Sequence, residues 1–341
     1  MSQPATTERR LIEIIRRAAR RAPAVRVGIG DDCAVLEPAA GSLLLATTDL
    51  LIEDVHFRRR WATPTDIGWK ALAVNVSDIA AMGGRPRWGL IALACPETVA
   101  VDEAEAFFAG VQALATEHDV AIVGGDTAAS PGGWIVNVTL LGEAVRAPLM
   151  RSTARAGDVI AVTGSLGRSA AGLALLEATP ALSSVPGDAR ADVTAAHLRP
   201  RPRTREGQWL SEAGGVTSMI DLSDGLATDL GHLCEESGVG ARVDLKRIPI
   251  EASVHAVALA LGRDTLHWAT GGGEDYELLL TCSREAFDRL ASGLARATGT
   301  QLTAVGEMTR AAEGIRYLDA CGEAVSVRSG FEHFVTGRAR A

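Results

Sequence analysis

Carboxylates recur along this chain in short clusters flanked by glycine, serine or threonine, and any fold must accommodate six of them. They are Gly28-Ile29-Gly30-Asp31-Asp32, Thr47-Thr48-Asp49, Asn75-Val76-Ser77-Asp78, Gly124-Gly125-Asp126-Thr127, Asp221-Leu222-Ser223-Asp224-Gly225 and Gly271-Gly272-Gly273-Glu274-Asp275. Oxygen donors without accompanying His or Cys suit hard cations, chiefly magnesium. Glycines beside them let the backbone approach a polyanion closely or turn through positive φ. A carboxylate repels a phosphate, so the two properties together point to cations bridging acidic side chains and a nucleotide. Ordinary acidic turns also place Asp beside Gly, but six such clusters in one chain favour the cation reading.

The formal charge supports it. At −8 over 341 residues, and with no basic stripe carrying interleaved aromatics, the chain is not expected to bind nucleic acid. An acidic protein can still bind an anionic nucleotide if it recruits cations. Hydrophobic residues make up 47% and charged residues 22%, as in a globular protein with a sizeable core, and the length suits two domains. The five cysteines are scattered and none has C-x-x-C or Cys/His metal spacing, which argues against zinc and against a disulfide scaffold. No apolar signal core and no run of membrane-spanning length occur, so a soluble cytoplasmic protein without a membrane partner is expected.

Periodicity gives a coarse layout. Leu11, Ile15, Ala18 and Ala19 predict a first amphipathic helix. Extended segments are expected around the first acidic loop, and Leu43 to Ala46 should deliver Thr47, Thr48 and Asp49 at the end of a buried strand. A helix over 65–82 places Asn75 and Asp78 on one face. Strands follow at 88–94, 120–123 and 134–141, the last alternating through Trp134, Val136, Val138 and Leu140. Asp102 and Glu105 have capping-box spacing for a helix to about Glu117. In the second half, a strand at 158–163 leads through Gly164–Ser169 into a helix. That arrangement either holds phosphate at a helix N-terminus or serves packing. Residues 178–196 read as loop, followed by a basic connection through Arg203. Helices near 204–213, 226–236 and 252–261 and strands near Arg242, Glu277, Thr303 and Ile315 complete the pattern. Without strict β-α-β alternation the expected class is α+β. The expected domains are 1–145 with a mixed sheet and 146–341 with a sheet packed by helices.

Neither G-x-x-x-x-G-K-[ST] nor the protein-kinase motifs are present, so phosphates must be held another way. The order of motifs resembles the thiamine-monophosphate kinase family of the aminoimidazole-ribonucleotide synthetase-like superfamily. The acidic clusters are joined in that series by His56-Phe57, Lys70-Ala71-Leu72-Ala73-Val74-Asn75, Arg151-Ser152, His197-Leu198-Arg199-Pro200 and Gly273-Glu274-Asp275-Tyr276-Glu277. The resemblance runs from about residue 8 to Phe334. It implies transfer of the ATP γ-phosphoryl group onto thiamine monophosphate, giving thiamine diphosphate by direct in-line attack assisted by several magnesium ions. It also implies a homodimer formed through the sheet of an N-terminal ATP- and magnesium-binding domain, with the C-terminal domain completing the substrate site.

Residue by residue, Asp32, Thr47, Thr48, Asp49, Asp78, Asp126, Asp221 and Asp224 match magnesium-binding positions. Gly125, Asp126, Arg151 and Ser223 match ATP-contacting positions. His56, Glu274 and Phe331 match substrate-side positions, with no single residue as general base. Asp54, Asp66, Asp229 and Asp275 read as supporting or plain surface acids. Selenophosphate synthetase is disfavoured because no Cys precedes Cys33, and the hydrogenase-maturation relative because the chain ends without cysteine. Other ATP-using synthetases of the superfamily and a non-catalytic nucleotide-and-magnesium module remain as alternatives.

Overall fold

A computed structural model describes residues 14, 24–28, 33–178, 184–328 and 330. The first predicted helix therefore lies outside the described residues, apart from helical, buried Ile14. The chain divides into two compact units. One holds the described residues up to Pro148 together with Leu198–Glu212, and the other holds Leu149–His197 and the described residues from Ala213 onward.

In the first unit β1 (Val25–Val27) and β2 (Val35–Leu36) form a short antiparallel pair. A mixed four-stranded sheet is built from β3 (Leu43–Ile52), β4 (Arg85–Cys95), β5 (Ala121–Ala129) and β6 (Ile135–Ala144), in the order β3-β6-β4-β5. Only the β4–β5 pair is parallel; β6 is antiparallel to both its neighbours. The alternation read from sequence sets the register: Trp134, Val136, Val138 and Leu140 are all fully buried, on the side covered by helices.

Those helices are α1 (Pro64–Ala81) and α2 (Val101–Glu117). Helix α1 starts with a capping box, in which Thr63 and Asp66 each satisfy the other's backbone N–H, and has Pro64 at its first position. It is buried on nearly every side, so it is a core helix rather than a surface one. In α2 the N-terminal backbone is satisfied differently from the expectation. Asp102 and Glu105 both lie inside the helix, and Glu103 accepts the Ala100 N–H at 3.1 Å.

The predicted placement of Thr47–Asp49 needs a correction. β3 runs on to Ile52, so the three residues lie mid-strand. The strand is also an edge, with Leu43 and Leu44 56% and 53% exposed. Pairing with β6 over all ten residues carried the strand past the acidic residue that local propensity would use to end it.

The second unit contains β7 (Val159–Thr163), α3 (Arg168–Glu177) and α4 (Gly187–Leu198). The chain then passes through α5 (Thr204–Ala213), most of which belongs to the first unit. It continues with β8 (Val216–Asp221), α6 (Leu226–Ser237), β9 (Val239–Asp244), α7 (Ala252–Leu261), α8 (Thr265–Gly271), β10 (Leu278–Cys282), α9 (Arg284–Thr298), β11 (Leu302–Arg310), β12 (Ile315–Leu318) and β13 (Ala324–Val325). Among the described residues the sheet has seven strands in the order β13-β12-β9-β11-β7-β10-β8. Neighbours are antiparallel except β12 and β9. The interior strands β7 and β10 are buried along their whole length, as their largely apolar runs require. Helix α4 occupies much of the stretch read as loop. Its buried stripe is only Ala189, Val193 and His197, too sparse to stand out as a periodic signal. Both units fit the α+β class. No described helix is long and apolar enough to cross a membrane.

Candidate active site

In the first unit, β3 and α1 bring three of the expected metal positions together. Thr47 and Asp49 share the face of β3 that α1 covers, and Thr47 Oγ1 donates to Asp78 Oδ2. Asp49 is pushed up to about 7, first by burial and then by the charge and hydrogen bond of Asp78. Its Oδ2 is buried without a hydrogen-bond partner. Two carboxylates facing each other, one with an orphaned oxygen, fit a hard cation with oxygen ligands.

Thr48 points the other way, as strand alternation demands. Its Oγ1 accepts from Asn137 Nδ2 at 3.0 Å and lies 3.1 Å from both the Val138 carbonyl and Thr139 Oγ1. Asp126 pairs with Ala92 across β5 and β4, and Ala92 pairs with Asn137. By register it therefore shares the Thr48 face. It is exposed, and its Oδ1 accepts the Thr127 N–H at 2.9 Å. Beside it, a Cβ on Gly125 would stand 1.9 Å from the Ile91 carbonyl, so no side chain fits without parting β4 from β5. Gly125→Ala should lower the urea midpoint of unfolding, with a cost of about 3 kcal/mol as for other overpacked sites; an unchanged midpoint would contradict this packing. His56 Nδ1 accepts the Ile52 N–H at 3.0 Å, leaving the ring proton on Nε2, and its carbonyl accepts from Lys70 Nζ at 3.2 Å.

In the second unit β8 ends on buried Asp221, and the turn Ser223-Asp224-Gly225 leads into α6. Asp229, in the first turn of α6, accepts the N–H groups of Asp224 at 3.1 Å and Gly225 at 3.0 Å. Burial, then the charges of Asp221 and Asp224, push Asp229 up to about 8 against the pull of those two bonds. Among the described residues no group of three or more His, Cys, Asp or Glu is arranged to hold a metal ion alone.

The segment Gly272–Tyr276 is laid against the end of β8. Glu274 N–H donates to the Ser223 carbonyl at 2.7 Å and Tyr276 N–H to the Leu222 carbonyl at 2.9 Å. Asp275 turns beneath the Gly164–Ser169 turn, where its two oxygens accept the N–H groups of Gly167 at 2.6 Å and Ser169 at 3.2 Å. The residue as a whole keeps some exposure, but the turn encloses its carboxyl and burial pushes it up to about 7. The strand-turn-helix N-terminus is thus a cradle already filled by the protein's own carboxyl group, which corrects the phosphate-binding option left open by the sequence.

The description "AIR synthase related protein, N-terminal domain" matches residues 30–144, and the corresponding C-terminal domain matches 155–319. Thiamine-monophosphate kinase of Escherichia coli strain K12 is 40% identical over 320 residues, covering 92% of this chain and 93% of that protein. The chain belongs to the thiamine-monophosphate kinase family. The crystal structure of the family member from Stenotrophomonas maltophilia K279a superposes with a TM-score of 0.81 at 37% identity, over 94% of this chain and 99% of that one. A complex of AaThiL with AMPPCP and TMP gives 0.76 at 33% identity, over 95% and 96%.

Of the family's expected positions in this chain, Asp32 and Phe331 lie outside the described residues. Arg151 is exposed, and its carbonyl accepts from Ser237 Oγ at 2.8 Å. Asp229 and Asp275, read as supporting or surface acids, are drawn inside and bind backbone N–H groups. For Asp229 the sequence held a usable signal, an acid in the first turn after Gly225. For Asp275 it held none, since its partners lie more than a hundred residues away.

Proposed function

We propose that this protein transfers the γ-phosphoryl group of ATP to thiamine monophosphate, giving thiamine diphosphate, by direct in-line and magnesium-assisted attack of the substrate phosphate. One observation carries the reading: 40% identity across nearly the whole of a thiamine-monophosphate kinase, with every acidic cluster present in this sequence. The acceptor oxygen belongs to a phosphate ester whose second pKa is about 6. Near neutrality it is already deprotonated, so no general base is needed.

The barrier is the meeting of two polyanions inside an acidic protein. Thr47, Asp49, Asp78, Asp126, Asp32 and Thr48 would hold magnesium in the first domain, and Asp221 and Asp224 in the second. Bound there, magnesium would neutralise phosphate oxygens and orient the displacement. Gly125 gives ATP close access to backbone, Ser223 supplies a hydroxyl, and Arg151 a guanidinium fork for phosphate oxygens. His56, Glu274 and Phe331 serve the acceptor. Glu274 complements the positive charge of the thiazolium ring, and Phe331 offers a stacking face. In this reading residues 1–145 are the N-terminal ATP- and magnesium-binding domain, and 146–341 complete the substrate site.

A homodimer through the open face of the first sheet also belongs to this reading. Leu44, Leu50, Leu90 and Ile135 are exposed there, an apolar surface that pairing would cover. Purified protein given ATP, magnesium and thiamine monophosphate should form ADP and thiamine diphosphate in equal amounts. Nucleotide binding without product would favour the binding-module alternative.

A further inference from the structure

Outside the residues assigned above, the second unit buries a histidine. His197, in the last turn of α4, is 4% exposed. Its Nδ1 lies 3.2 Å from Glu274 Oε2 and 3.1 Å from Ser169 Oγ. The packing that brings it in is tight, since a Cβ on Gly172 of α3 would stand 2.1 Å from the Val193 carbonyl and 3.1 Å from His197 Cβ. We propose that His197 is a positioning residue that fixes the Glu274 carboxylate for the acceptor. The inference rests on the assignment of Glu274 to the acceptor side.

Glu274 needs such a partner. It follows Gly271-Gly272-Gly273 and has φ +65°, a left-handed conformation that a non-glycine residue adopts at a cost. A long side chain on that backbone samples many directions unless something tethers its end. An ionised carboxylate only accepts, so Nδ1 carries the ring proton and aims it at Oε2. Ser169, whose N–H holds Asp275, also contacts Nδ1. The neighbours Glu274 and Asp275 are therefore braced from the same first turn of α3, one through its amides and the other through the His197–Ser169 pair.

The test uses the full-length variants His197→Ala, His197→Asn, His197→Gln, Glu274→Ala and the double alanine, with KM for each substrate, kcat and Tm. His197→Ala should raise the KM for thiamine monophosphate about tenfold and leave that for ATP within twofold. His197→Asn should recover most of the loss, because its amide N–H replaces Nδ1–H, whereas His197→Gln, reaching the Nε2 position, should not. The double variant should be no worse than Glu274→Ala alone. KM values that rise together for both substrates, effects that multiply in the double variant, or equal behaviour of Asn and Gln overturn the inference. The Asn–Gln comparison decides if the alanine variant fails to fold. Wild-type activity with an unaffected Glu274→Ala overturns it too, whereas an inactive wild type overturns the proposed function itself.

Discussion

Asp78→Asn is expected to lower the turnover of phosphoryl transfer by about 10³-fold while leaving the magnesium-free protein at least as stable as the wild type. The two effects have one origin. Asp49 and Asp78 are held together on the covered face of β3 and α1, and the Asp49 Oδ2 has no hydrogen-bond partner. Without a cation this is a repulsion, and replacing one carboxylate by an amide relieves it. The amide oxygen still accepts from Thr47 Oγ1, so the local packing survives. If the pair holds the proposed cation, losing one of its ligands removes several kcal/mol of phosphate-charge neutralisation, which gives the stated fall in rate. Magnesium should raise the wild-type Tm by mass action and move that of the variant much less. Turnover within tenfold of wild type, with the same magnesium dependence, would remove this pair from the site.

Asp275→Ala is the second large effect, and it falls on stability. It strips the Gly167 and Ser169 N–H groups of their acceptor at an enclosed helix start, for which about 3 kcal/mol is the expected scale. Its pH dependence has a definite sign. The folded value of about 7 lies above the ordinary 3.8. The wild-type contribution is therefore full below about pH 4 and is lost as pH rises through 7. The gap between wild type and variant, read from urea unfolding, should be widest at about pH 4 and narrow steadily as pH rises to about 7. A gap that widens with pH would show that Asp275 folds in as a stabilised carboxylate.

Where sequence sufficed, the signal was periodic and local. Helix α1 has its capping pair and an unbroken apolar run, and β6 alternates cleanly, so both were legible. The starts and ends of α5 and α7 were equally plain. Helix α4 was hidden because alanine-rich turns with little apolar contrast look like loop. β8 and α8 are short segments that passed without notice. Helix α9 carries the contrast, with Leu290, Gly293 and Leu294 buried along one stripe, yet is absent from the expected elements.

The acidic residues divide in the same way. Asp49 and Asp78 stand out as candidate ligands from residue type and neighbours. What they do to each other does not, because it depends on a helix crossing a strand thirty residues away in sequence. The Gly164–Ser169 turn looked like a phosphate cradle for a sound reason, and only the fold shows that a carboxylate of the same chain already fills it. The opposite orientations of Thr47 and Thr48 follow from strand pleat, once the strand is known to continue through them.

The route of the chain between its units bears on how the protein can be dissected. Leu198–Glu212 leaves the second unit, joins the first and departs again. There the Trp69 indole donates to the Pro200 carbonyl at 2.8 Å, Arg199 pairs with Asp66, and His118 Nδ1 meets Thr204 Oγ1 at 2.9 Å. A fragment cut once after Pro148 would lack this clasp and expose the indole. An autonomous N-terminal piece would have to be made as a splice, with residues 198–212 grafted through a short linker onto the end of the first stretch.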